Sequence, residues 1–104
     1  MFVQDEILIF NINWFSFYFY FTIIIVKYLT QLIYLDLLAN DFIGEIPSSF
    51  SNLKALSSLS LGDNYLNGTI PLSLSNLKEL SYLDLQGNNL SGKIPSSLSN
   101  LSFN

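Results

Sequence analysis

Two tetrapeptides hold the residues of this chain that are best suited to chemistry. Tyr34-Leu35-Asp36-Leu37 recurs as Tyr82-Leu83-Asp84-Leu85, and each places a phenol and a carboxylate two residues apart. Two carboxylates can share acid and base roles only where burial raises the pKa of one of them. The two aspartates would lie two strands apart, about 10 Å, on an open sheet. We therefore predict that the chain is not an enzyme and has no catalytic residue.

The composition excludes several further classes of protein. The 104 residues include no His, Cys or Arg, and eight acidic residues outnumber four lysines for a net charge of −4. Without Cys there is neither a thiolate nucleophile nor a Cys-based metal site. Without clustered cations there is no surface for nucleic acid. We predict no cofactor, no metal site and no nucleic-acid partner.

The elements that must position these residues follow a 24-residue period. Leu29, Leu53, Leu77 and Leu101 open successive units, which gives repeats over 29–52, 53–76 and 77–100 and the start of a fourth at 101. The other columns that recur are Leu32/Leu56/Leu80, Leu35/Leu59/Leu83, Leu37/Leu61/Leu85, Asn40/Asn64/Asn88, Phe42/Leu66/Leu90, Gly44/Gly68/Gly92, Ile46/Ile70/Ile94 with a following Pro, and Phe50/Leu74/Leu98 with a following Ser-Asn.

Each column predicts a local structure. Leu35 and Leu37 point to one side of a short strand, and equivalent strands stacked side by side form a parallel sheet with a leucine ladder on its inner face. The Asn column can bond backbone groups where the chain turns. The polar stretch that closes each unit suits a 3₁₀ or short helical turn. The predicted fold is an α/β solenoid of short parallel strands and 3₁₀ or helical turns.

The repeated unit resembles the plant-type leucine-rich repeat. The resemblance covers residues 29–104 and is carried by L-x-x-L-x-x-L-x-L-x-x-N-x-L-x-G-x-I-P-x-x-L-S-N, in which Gly-x-Ile-Pro marks the plant subtype. This type is found in ectodomains of receptor-like kinases and receptor-like proteins and in polygalacturonase-inhibiting proteins. The resemblance implies recognition of a protein or peptide ligand, or a co-receptor, on the concave face. That face would present Tyr34, Ser58, Tyr82, Asp36, Ser60, Asp84, Asp63, Tyr65 and Gln86. Alternatively, these are solvated strand residues without a ligand.

Three N-glycosylation sequons lie within the repeats. They begin at Asn67, Asn89 and Asn100. Asn67 and Asn89 are the candidate acceptors, because Asn100 stands close to the last residue of the chain. The alternative is that sequons arise by chance where Asn, Ser and Thr are abundant.

The N-terminal segment, residues 1–28, differs from the repeats. Residues 7–26 contain no charge, and a helix of that length would be about 30 Å long, enough to cross a bilayer. We predict an N-terminal hydrophobic helix that is a transmembrane or signal-anchor segment. A cleaved signal peptide is less consistent with Asp5 and Glu6 before the run, and a wrongly assigned gene start is a third alternative.

Location and function follow from both parts of the chain. Lys27 after the run weakly favours repeats in the cytosol, whereas the resemblance implies extracellular repeats at the plasma membrane or in the secretory pathway. We expect a truncated, membrane-associated recognition module in plant signalling or defence. The alternatives are a structural remnant or wrongly assigned gene fragment without activity, and a soluble binder similar to polygalacturonase inhibitors.

Overall fold

The computed structural model describes residues 2–3, 7–9, 29–98 and 102–103. Its main feature is a six-stranded sheet. In the order in which they pair, the strands are β1 (Phe2–Val3), β2 (Ile7–Ile9), β3 (Tyr34–Asp36), β5 (Ser58–Ser60), β7 (Tyr82–Asp84) and β8 (Ser102–Phe103). Strands β2 to β8 of this sheet pair in parallel, and β1 pairs antiparallel with β2.

The leucine columns form the core against this sheet. Leu35 pairs with Leu59 and Leu59 with Leu83, and all three side chains are fully buried. This arrangement confirms the predicted ladder. The other buried apolar side chains continue it around each turn of the solenoid: Leu32, Leu37, Phe42, Ile46, Phe50, Leu53, Leu56, Leu61, Leu66, Leu74, Leu77, Leu80, Leu85 and Leu98.

Three 3₁₀ turns of the described residues run along the outer side of the repeats, as the sequence predicted. They are η1 (Ser48–Asn52), η2 (Leu72–Asn76) and η3 (Ser96–Leu98). Pro47 and Pro71 precede the first two in extended conformation. Proline lacks the N–H that a helix extended towards the N-terminus would use there, so the turns begin after it. Each turn buries a single side chain, which is Phe50 in η1.

A second sheet of two parallel strands was not predicted. Strand β4 (Ile43–Glu45) pairs with β6 (Tyr65–Asn67), and a bridge between Thr69 and Ser91 extends the pattern into the third repeat. The register is offset from the repeat: Ile43 pairs with Tyr65 rather than with its sequence equivalent Asn67. Successive repeats are therefore joined by backbone hydrogen bonds on two sides.

The predicted hydrophobic helix over residues 7–26 is wrong at its first three residues. Ile7–Ile9 form β2, and Leu8 pairs with Leu35 of the first repeat. The physical reason is the edge of β3, whose N–H and C=O groups need partners that a helix cannot supply. The rest of the predicted helix lies outside the described residues. The described residues contain no helix that could span a lipid bilayer.

Candidate functional site

Two rows of side chains cross the main sheet on the face opposite the core. Tyr34, Ser58 and Tyr82 are paired neighbours in the first row, and Asp36, Ser60 and Asp84 in the second. Tyr34 is 39% exposed, and Ser58 and Tyr82 are half-buried. The structure thus brings together six of the nine side chains that the sequence predicted for the binding face.

The two aspartates hold the turns that follow their strands. Oδ1 of Asp36 accepts a hydrogen bond from the backbone N–H of Leu38 at 3.0 Å, and Oδ1 of Asp84 accepts one from Gln86 at 3.1 Å. Asp84 is only 7% exposed, whereas Asp36 is half-buried. Of the two, Asp36 therefore has more carboxylate surface for a ligand.

A column of asparagines shapes the bend that ends each strand. Asn64 is buried, and its Nδ2 donates to the carbonyl oxygens of Leu61, Gly62 and Leu37 at 2.9 to 3.0 Å. Asn88 repeats all three bonds, donating to Leu85 at 3.1 Å, to Gln86 at 3.5 Å and to Leu61 of the preceding repeat at 2.9 Å. These amides satisfy carbonyls that the bend takes out of the sheet, as predicted from the sequence.

The residue before each of these asparagines adopts positive φ. The column is Ala39 at 56°, Asp63 at 52° and Gly87 at 75°. A Cβ on Gly87 would collide with Oδ1 of Asp63 and lie 3.1 Å from its Cα. Asp63 and Gln86 are both exposed and follow β5 and β7, so they lie beyond the ends of these strands and not in the two rows.

Tyr65 belongs to a different surface from the other predicted binding residues. It lies in β6 of the second sheet, where it is 65% exposed and pairs with the equally exposed Ile43. This apolar pair was not predicted from the sequence. The available signal was Ile43 itself, because its column otherwise contains the polar residues Asn67 and Ser91.

Charge is distributed unevenly around the solenoid. Asp36, Asp63 and Asp84 lie on or beside the two rows, whereas Lys54 and Lys78 lie in the turns between the 3₁₀ segments and the next strands. The third lysine of the described residues, Lys93, follows the second sheet. The face of the main sheet is therefore a tyrosine and serine surface bordered by carboxylates.

The comparison with protein families decides what kind of scaffold carries this surface. The family model described as "Leucine rich repeat" matches residues 30–90, more than half of the chain. The chain belongs to the leucine-rich repeat family. Its solved relatives place this leucine-rich repeat in the plant type, as the Gly-x-Ile-Pro element predicted.

Three solved structures illustrate the similarity. The BIR2 ectodomain from Arabidopsis thaliana is 39% identical with a TM-score of 0.71, and the match covers 73% of this chain and 40% of that one. The ectodomain of the receptor kinase SOBIR1, from the same plant, is 41% identical with a TM-score of 0.66, over 75% and 44%. The plant peptide hormone receptor RGFR1, solved in complex with RGF2, is 42% identical with a TM-score of 0.65, over 70% and 12%. No curated protein matches this chain in sequence.

This chain spans less than half the length of each of these three solved proteins. The similarity therefore establishes the fold and the type of repeat.

Proposed function

We propose that this leucine-rich repeat is a non-enzymatic recognition module that binds an extended peptide or protein segment across the row Tyr34, Ser58 and Tyr82. The observation that carries the proposal is the register of that row, in which two tyrosines flank a serine on three adjacent strands. Neighbouring strands lie about 4.8 Å apart, so the tyrosines flank a shallow groove about 10 Å wide above Ser58. Tyrosine supplies contact area with little loss of side-chain entropy.

The border of the row favours a ligand with a positive charge. Asp36 and Asp63 are the accessible carboxylates there, and the lysines of the described residues lie elsewhere. Complementary charge on the ligand raises the association rate and disfavours acidic competitors. Relatives of this fold have been solved as receptors in complex with peptide hormones, which supports a peptide as the ligand class.

A selection from random linear peptides displayed on phage, with the full chain as bait, tests the proposal. Selected peptides should be enriched in Lys or Arg, and Tyr34→Ala or Tyr82→Ala should weaken their binding at least about tenfold. Tyr65→Ala is the matched control, since it removes an exposed tyrosine from the other sheet. Peptides whose affinity follows Tyr65 rather than Tyr34 and Tyr82, or a selection without specific binders, would refute the proposal.

We also propose that the repeats act outside the cell in plant signalling or defence, attached to the membrane through the N-terminal segment. Ectodomains of plant membrane receptors among the relatives support the extracellular location. Because β2 (Ile7–Ile9) pairs with β3 in one sheet, both ends of residues 10–26 lie on the same side of the membrane, so this apolar segment would be embedded from that side rather than cross the bilayer. Alkaline carbonate extraction of the full chain from plant membranes tests this attachment. Release into the supernatant would refute it.

A further inference from the structure

The exposed face of the second sheet carries an apolar pair, Ile43 and Tyr65, and beside it the side-chain amide of Asn67, which can be modified. Ile43 and Tyr65, paired across β4 and β6, are 61% and 65% exposed. The next row along the same strands is Glu45 paired with Asn67, and both of these are exposed as well. Leu66 between Tyr65 and Asn67 is buried, so the tyrosine and the asparagine share one face, about 7 Å apart along the strand.

Asn67 begins the sequon Asn67-Gly68-Thr69 at the end of β6. Within the described part of the chain, neither the side-chain amide of Asn67 nor the Thr69 hydroxyl has a hydrogen-bond partner, and both residues are exposed. Gly68 has φ of +75°, and a Cβ there would lie 2.8 Å from Cγ of Glu45. The glycine therefore lets the chain turn beside Glu45 while Asn67 faces solvent.

We propose that Asn67 carries an N-linked glycan whose first N-acetylhexosamine packs on the ring of Tyr65 and on Ile43. The apolar face of a pyranose presents C–H groups that pack on an aromatic ring, and covering Tyr65 and Ile43 removes apolar surface from water. This inference rests on the proposed extracellular location, because the transferase acts in the secretory pathway. It gives the exposed apolar pair an occupant attached to the same strand.

The modification requires a lipid-linked oligosaccharide diphosphate as the second substrate. Nδ2 of Asn67 forms a bond to the anomeric carbon of the first sugar while the bond from that carbon to the diphosphate oxygen breaks. The lipid diphosphate leaves with the bonding electrons, and one amide proton passes to a base on the transferase. No oxidation or reduction takes place.

The sequon at Asn89 lacks the same surroundings. The residue two positions before it is Gly87, which has no side chain on which a sugar could pack. Oγ of Ser91, the hydroxyl of that sequon, donates a hydrogen bond to the carbonyl oxygen of Gly68 at 3.4 Å. Asn67 is therefore the acceptor that the fold favours and whose glycan contributes to stability.

The test uses the full chain behind a cleavable secretory leader, expressed in a eukaryotic secretory host. A reference sequon in a C-terminal tag identifies molecules that reached the transferase, so failure of the proposed location is not confused with failure of this inference. Mass spectrometry of these molecules should find a glycan at Asn67 in most chains, and Asn67→Gln and Thr69→Ala should remove it. An unoccupied Asn67 beside an occupied reference sequon overturns the proposal.

A double-mutant cycle tests the packing on Tyr65 separately. The glycan should raise the urea midpoint of the Tyr65 protein relative to its Asn67→Gln variant. The same glycan should give no increase in a Tyr65→Ser background, whereas Tyr34→Ser, in the main sheet, should leave the increase intact. An equal increase with and without Tyr65 overturns the stacking.

Discussion

Oδ1 of Asn64 accepts a hydrogen bond from the backbone N–H of Asn40, the equivalent residue of the preceding repeat, at 2.9 Å. The same oxygen accepts a second bond from the N–H of Phe42 at 3.0 Å. Since Nδ2 of Asn64 donates to carbonyls of both repeats, one buried amide joins the two bends. The asparagines of this column therefore connect neighbouring repeats in addition to stabilising the bend within each repeat.

We expect Asn64→Ala to be among the most destabilising substitutions in the chain. It leaves buried N–H and C=O groups of two repeats without partners, at about 1–3 kcal/mol for each unsatisfied group. Urea unfolding should show a loss of about 3 kcal/mol or more. Asn76→Ala, at an exposed position in η2, is the control and should change stability by less than about 0.5 kcal/mol. Equal effects at the two positions would contradict the role given to Asn64.

Ala39→Gly should stabilise the protein. Ala39 is exposed and has φ of 56°, a conformation that costs a residue with a Cβ about 1–2 kcal/mol. Glycine relieves that cost but increases the entropy of the unfolded chain, so the expected gain is about 0.5–1 kcal/mol. Ala55→Gly is the matched control outside the positive-φ column and should destabilise by a similar amount. A loss of stability in both variants would contradict the argument.

Gly87→Ala should destabilise the third repeat. The new Cβ meets Oδ1 of Asp63 and takes on the strain of φ at 75°. We expect a loss of about 2 kcal/mol or more in thermal or urea unfolding, from backbone strain and the steric clash together. In an Asp63→Gly background the collision with the carboxylate is gone, and the backbone strain and the close approach to the Cα of residue 63 remain. The same Gly87→Ala substitution should therefore cost less there, and an unchanged cost would exclude the contact with the Asp63 carboxylate as a cause.

Much of the fold could be predicted because the repeat encodes it locally. Each leucine column reports the same environment three times, so Leu35, Leu59 and Leu83 could be assigned to the core without a structure. The register of the two rows on the open face followed from the same period.

The other features of the fold could not be predicted, because they depend on pairing between neighbouring repeats or on columns whose residue types differ from one repeat to the next. The second sheet pairs Ile43 with Tyr65, a register that differs from the repeat, so no column predicts it. The positive φ of Ala39 could not be predicted, because its column contains a single glycine, Gly87, and glycine is the residue type that most clearly indicates such a conformation. Strand β2 was missed because its pairing with β3 breaks the period, placing Leu8 beside Leu35.

The structural and binding roles of Asp36 can be separated by two substitutions. Asp36→Asn keeps an oxygen that accepts the hydrogen bond from Leu38 but removes the charge, whereas Asp36→Ala removes both. Stability should therefore be nearly unchanged in the asparagine variant and fall by about 1 kcal/mol in the alanine variant.

Affinity for a selected cationic peptide should respond to charge instead. Both variants should bind more weakly than the parent protein. Both should also lose part of the dependence of affinity on salt concentration, because the attraction between the carboxylate and the cationic peptide, which salt screens, is absent. Titrations at low and high ionic strength measure this directly. One result would show that the carboxylate serves only the turn: Asp36→Asn keeps the parent's affinity and salt dependence while Asp36→Ala loses stability. Asp63 would then be the remaining charged residue at the border of the binding row.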